Sequence, residues 1–139
     1  MPTLQLKIAP PQNPDLYPFL ADELTTITAE HLGKRPEVTA VMIEELPAAR
    51  WYVGAVSVQR ATAWLEISIT AGTNTPAQKA AFIEAVFAVL QSRLGKGQPL
   101  EPASYVIVRE LPATDWGYGG QTQHARQRAR AVASGEMVE

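Results

Sequence analysis

The chain has 139 residues, 46% of them hydrophobic and 19% charged, with a net charge of −2. That balance suits one domain with its own core and offers no general attraction for nucleic acid or an anionic membrane. Without cysteine, disulfides, thiolate nucleophiles and thiolate metal sites are excluded.

The two histidines, His31 and His124, stand too far apart in sequence to mark a metal site. No apolar run approaches the roughly 20 residues of a membrane helix. The amino terminus lacks a signal-peptide pattern. The expectation is a cytoplasmic protein.

The chain opens Met1-Pro2. Removal of Met1, usual before a small residue, would leave a free secondary amine on Pro2. Leu4, Leu6 and Ile8 alternate with Gln5 and Lys7, which predicts a half-buried strand. Leu20, Leu24, Ile27 and Leu32 then mark one face of a helix that Gly33 ends. Pro18 fits only its first turn, so that helix is expected to begin nearer Tyr17 than Pro14. The β-branched stretch "VTAVMIEEL" (38–46) reads as a second strand, followed by the aromatic-glycine segment "RWYVGA" (50–55).

The order then recurs. Leu65, Ile67 and Ile69 alternate with Glu66 and Ser68. Thr75 is placed as an N-cap and Pro76 as the first helical residue. Phe82, Ile83, Val86, Phe87, Leu90 and Leu94 follow at helical spacing, and Gly95 closes the helix. "SYVIVREL" (104–111) is the next strand, and "DWGYGG" (115–120) reads as a short hairpin. The tail "HARQRARAVASGEMVE" (124–139) reads as a frayed helix or a partner-covering extension.

These likenesses keep register. "EELPAARW" (44–51) lies over "RELPATDW" (109–116), "LGK" (32–34) over 94–96, Asn13-Pro14 over Thr75-Pro76, and "PTLQLKI" (2–8) over "AWLEISI" (63–69). Four markers in one order point to a duplicated unit, 2–62 and 63–123, with 124–139 as a tail. Two strands joined by a helix are parallel. The expected fold is therefore α/β, in two layers: tandem β-α-β units forming one four-stranded mixed sheet with both helices on one face. The other face needs a cover, for which a second copy in closed symmetry is the simplest.

The amino-terminal proline, the two fused units and "DWGYGG" together resemble the tautomerase superfamily. "DWGYGG" is similar to the hairpin that closes a 4-oxalocrotonate tautomerase unit. "HLGKRPEVTAV" (31–41) is similar to the helix end and second strand of macrophage migration inhibitory factor. The resemblance covers nearly all of residues 2–123. It implies a homotrimer, no cofactor, and keto–enol proton transfer on a small 2-oxo or enol carboxylic acid. The chain departs from the pattern where arginines would bind substrate: Met42, "APPQN" (9–13) and "TAGTNT" (70–75) supply none. This counts against muconate-type diacids and haloacrylate dehalogenation.

Within that resemblance Pro2 is the candidate general base, because the second unit has Ala63 in its place. A proline amine in an apolar pocket near a cation is harder to protonate and suits proton abstraction. Lys34 would hold a carboxylate or enolate oxygen; it also suits a plain helix-end cation, as Lys96 does. Tyr105 would donate to an enolate, or pack as a strand aromatic. Trp51 and Trp116 would wall the pocket, or fill an interface. Arg109, like Arg50 and Arg60, offers a carboxylate fork or a solvated face. The rivals are a hydratase, decarboxylase or dehalogenase using protonated Pro2, and an interaction module that has lost the chemistry.

Overall fold

The period-two pattern at the amino terminus forms β1 (Thr3–Ala9), which buries Leu4, Leu6 and Ile8 and leaves Gln5 exposed. The computed structural model describes residues 1–135. Helix α1 (Leu16–Leu32) follows, with Pro18 in its first turn and Leu20, Leu24, Ile27, Thr28 and Leu32 inward. Gly33, at φ 68°, takes the left-handed position that ends it. Strand β2 (Ala40–Glu45) starts later than the β-branched pattern predicts, because Pro36–Val38 makes a single 3₁₀ turn. The Ala40 N–H donates to Pro2 O at 3.1 Å, which sets the head of β2 beside that of β1.

A hairpin comes next, β3 (Tyr52–Val53) and β4 (Val56–Ser57), turning through Gly54 at φ 59° and Ala55 at φ 66°. Strand β5 (Thr62–Thr70) is buried along most of its length. Helix α2 (Pro76–Gly95) opens with Thr75 as N-cap: its side chain accepts from Gln78 N, and Gln78 Oε1 accepts from Thr75 N. Phe82, Val86, Leu90 and Leu94 face inward, while Ile83 and Phe87 flank that stripe and stay partly exposed.

Gly95 does not supply the left-handed cap expected of it. It remains helical and Lys96 takes that conformation at φ 51°. Gly95 is needed small, because Gln91 passes over it to donate to Gln98 O and accept from Leu100 N. Strand β6 (Tyr105–Leu111), the hairpin β7 (Gly117–Tyr118) and β8 (Gln121–Thr122), and helix α3 (Gln123–Ala133) complete the chain. The tail expected to fray is thus a helix over its first ten residues; residues 136–139 lie outside those described.

The sheet runs β2-β1-β5-β6, with β1 parallel to β2, β5 parallel to β6, and β1 antiparallel to β5. Its helix-covered face carries the rows Val41–Leu4–Ile67–Val108 and Ile43–Leu6–Leu65–Val106, which pack with the buried sides of α1 and α2 into one core. The opposite face carries Ala40–Thr3–Ser68–Arg109, Met42–Gln5–Glu66–Ile107 and Glu44–Lys7–Trp64–Tyr105. That face is mixed in character, with Met42 and Tyr105 at least half exposed. No helix among the described residues is long and apolar enough to cross a membrane.

Candidate active site

Because β1 runs antiparallel to β5, the chain's first residues meet the carboxyl end of β5: Thr3 lies opposite Ser68. A cavity of about 200 Å³ opens there, with Met1 and Pro2 in its wall and Ile69 and Thr70 beside them. Pro2 is buried. In the full chain its nitrogen is an amide, and the free amine is that of Met1, which also lines the cavity. That amine stands in for the secondary amine that Met1 removal would uncover one residue further in.

The end of α1 supplies the first cations. The left-handed Gly33, whose N–H donates to Ala29 O at 3.0 Å, turns the chain so that Lys34 and Arg35 reach the cavity. Lys34 Nζ donates to Thr73 Oγ1 at 2.8 Å, and that hydroxyl donates to Thr70 O at 2.7 Å. Asn74 Nδ2 donates to Leu32 O at 3.0 Å and ties the same loop to the last turn of α1. Lys34 is therefore tethered to a loop that is itself fixed to the end of α1.

The β7–β8 hairpin and α3 close the cavity. Trp116 Nε1 donates to Thr70 Oγ1 at 3.2 Å. The Trp116 carbonyl accepts from Gln123 N at 2.9 Å, and Thr122 caps α3 by accepting from Ala125 N. Arg126 Nη2 donates to Tyr118 O at 2.9 Å while its guanidinium lies 3.8 Å from the Tyr118 ring centroid. Gln123, Gln127 and Arg130, spaced four and three residues apart on one helical face, all line the cavity.

Lys34, Arg35 and Arg130 make the cavity cationic, and among the described residues no aspartate or glutamate lines it. The Met1 amine is held below its ordinary α-amino value, first by burial and then by Lys34, Arg130, Arg35 and Arg126. Burial also lowers the Lys34 ammonium, an effect that Glu110 opposes. An amine whose protonated form is disfavoured, set against a cationic wall in one cavity, can take a proton and stabilise the anion that results.

The Tautomerase enzyme family model matches residues 19–61 and 64–126. The chain belongs to the tautomerase family. Among solved structures, native fused 4-OT is 30% identical over 91% of this chain and 99% of its own, with a TM-score of 0.77. R7 fused 4-OT, an asymmetric trimer, is 27% identical over 91% of this chain and 99% of its own, with a TM-score of 0.80. A macrophage migration inhibitory factor-like protein of Entamoeba histolytica shares the fold at 17% identity, over 87% of this chain and 97% of its own, with a TM-score of 0.72. No curated protein sequence matches the chain.

In this tautomerase chain the expected site residues divide. Pro2, Lys34 and Trp116 line one cavity. Trp51 lies elsewhere, in a shallow depression with Lys7, Arg50, Tyr52 and Trp64. Tyr105 starts β6 beside Trp64, at the end of the sheet away from Pro2. Arg109 is exposed on the open sheet face, two strands from Thr3 in the same row, about 10 Å at ordinary strand spacing. None of these three lines the Pro2 cavity of its own protomer. The sequence reading missed Thr73, Arg35, Tyr118 and the α3 face. The spacing of Gln123, Gln127 and Arg130 is the available signal for an α3 face; the expectation of a frayed helix or partner-covering extension at 124–139 does not place that face on the site.

Proposed function

We propose that the chain, once Met1 is removed, catalyses a keto–enol 1,3-proton shift on a small 2-oxo or enol carboxylic acid without a cofactor. The neutral Pro2 nitrogen takes a proton from the carbon beside the carbonyl. The C–H pair becomes the C=C bond, and the carbonyl π pair moves to oxygen, where the Lys34 ammonium stabilises it. Return of the proton to that oxygen completes the shift. In the reverse direction protonated Pro2 delivers it to carbon.

The observation that carries this reading is the amino terminus itself, opening into a cationic cavity that disfavours the protonated amine. A volume of about 200 Å³ falls below the roughly 300–1,000 Å³ of drug-sized pockets and suits a small acid. The cavity favours tautomerisation over the hydratase rival, because among the described residues no carboxylate lines it to activate water.

The trimeric state of the fused 4-OT relatives supports the same assembly here. The open sheet face, with Met42 and Tyr105 exposed, is the surface such an assembly would cover. Within it Tyr105 and Arg109 would serve a neighbouring copy's cavity, and Trp51 would pack at the interface.

Intact mass first establishes whether Met1 is absent. The Met1-free protein should then accelerate ketonisation of an enol 2-oxo acid, and 2-oxo-3-pentynoate should label Pro2 at neutral pH. Ketonisation unchanged by Pro2→Ala would remove the reading. Retention of Met1 in the native host would favour the interaction module.

A further inference from the structure

Three cations line the Pro2 cavity, and the structure distinguishes them. Lys34 is tethered to Thr73. Arg35 already directs its Nε to Glu37 at 2.8 Å. Arg130 sits on the α3 face that also carries Gln123 and Gln127, and makes no ion pair with a carboxylate among the described residues. Seven residues separate it from Gln123, about 10 Å of helix rise. Gln123 is buried where α3 meets Trp116 and Arg130 is exposed, so α3 runs along the cavity wall from its buried end to Arg130 at the rim.

A guanidinium offers parallel N–H donors that match the two oxygens of a carboxylate, which a lysine does not. The arginine absent from the strand-end loops can therefore come from the carboxyl-terminal helix. What fixes that helix is also visible. Arg126 staples it to the hairpin through the Tyr118 carbonyl and ring. A side chain at Gly119 would meet the Arg126 guanidinium at 2.7 Å, so the glycine makes room for the staple.

We propose that α3 is the specificity element of this site: Arg130 takes the substrate carboxylate at the cavity rim, and Arg126 is a positioning residue that holds the helix in place. The inference deepens the keto–enol reading and rests on it for the identity of the ligand. It predicts selectivity for a small carboxylate over its uncharged ester.

The test measures binding apart from turnover. Trimethylpyruvate, a 2-oxo acid with no hydrogen on C3, and its methyl ester are titrated into the Met1-free protein by calorimetry. The wild type should bind the acid more tightly than the ester. Arg130→Ala should weaken acid binding about tenfold and ester binding less than twofold, the lower end of a charged hydrogen bond because Arg130 is exposed. Arg130→Lys should restore part of the loss. Arg126→Met should weaken acid binding and speed amide exchange in α3, while unfolding of the core stays cooperative. An acid-to-ester ratio unchanged by Arg130→Ala, or no acid binding by the wild type, overturns the proposal. Arg130-dependent binding without ketonisation would leave it standing and remove the proton-transfer reading alone.

Discussion

Thr73→Val tests whether Lys34 is held in place or merely happens to lie nearby. Valine keeps the shape of threonine and deletes the hydroxyl, which now accepts from Lys34 Nζ at 2.8 Å and donates to Thr70 O at 2.7 Å. A hydrogen bond from a charged group is worth about 1.5–3 kcal/mol and a neutral one about 0.5–1.5 kcal/mol. Thr73 is exposed, so water can replace part of both, and the expected loss of stability is about 1–2 kcal/mol. For a chain of this length that lowers the Tm by about 3–8 °C, read by thermal and urea unfolding at one fixed protein concentration. The ammonium remains but is no longer aimed, so kcat/KM should fall about three- to tenfold. The decisive measurement is a double-mutant cycle with Lys34→Met, with an expected coupling of about 1 kcal/mol. Effects that add to within about 0.5 kcal/mol would refute the tether.

The lowered amine makes two pH predictions. In the Met1-free enzyme Lys34→Met removes a cation that disfavours protonation, so the acid limb of the kcat/KM profile should move to higher pH. In chain that retains Met1, the unfolded state binds more protons between the lowered folded value and the ordinary 8.0. Stability should therefore rise with pH through that window, and melting curves across it should show the rise shrinking in Lys34→Met. Ala55→Gly should stabilise by about 0.5–1 kcal/mol in urea unfolding, because Ala55 holds φ 66°, a conformation costly to residues with a Cβ. Trp116→Phe should cost about 1 kcal/mol by deleting its bond to Thr70, with a second cost in substrate binding visible as a higher KM.

Much of the architecture was legible because it follows from local periodicity. Alternation at Leu4-Leu6-Ile8 and Leu65-Ile67-Ile69 marked the two central strands, and Thr75-Pro76 marked the start of α2, all within a few residues of contact along the chain. The same triplet Leu-Gly-Lys shows where local reading stops. After α1 its glycine is the left-handed cap; after α2 its glycine stays helical beneath Gln91, and the lysine turns the chain instead.

The sequence alone therefore determined the four sheet strands, the two core helices and an amino-terminal proline at the head of a buried strand, since each depends on neighbours two to four residues away. Only the tertiary structure decided the cavity. Antiparallel pairing of β1 with β5 brought Pro2 to Thr70, and the packing of α3 on the hairpin placed Arg130 within the same wall. Those partners stand some 70 and 130 residues apart, and no periodicity connects them; the sheet register and the helix docking do.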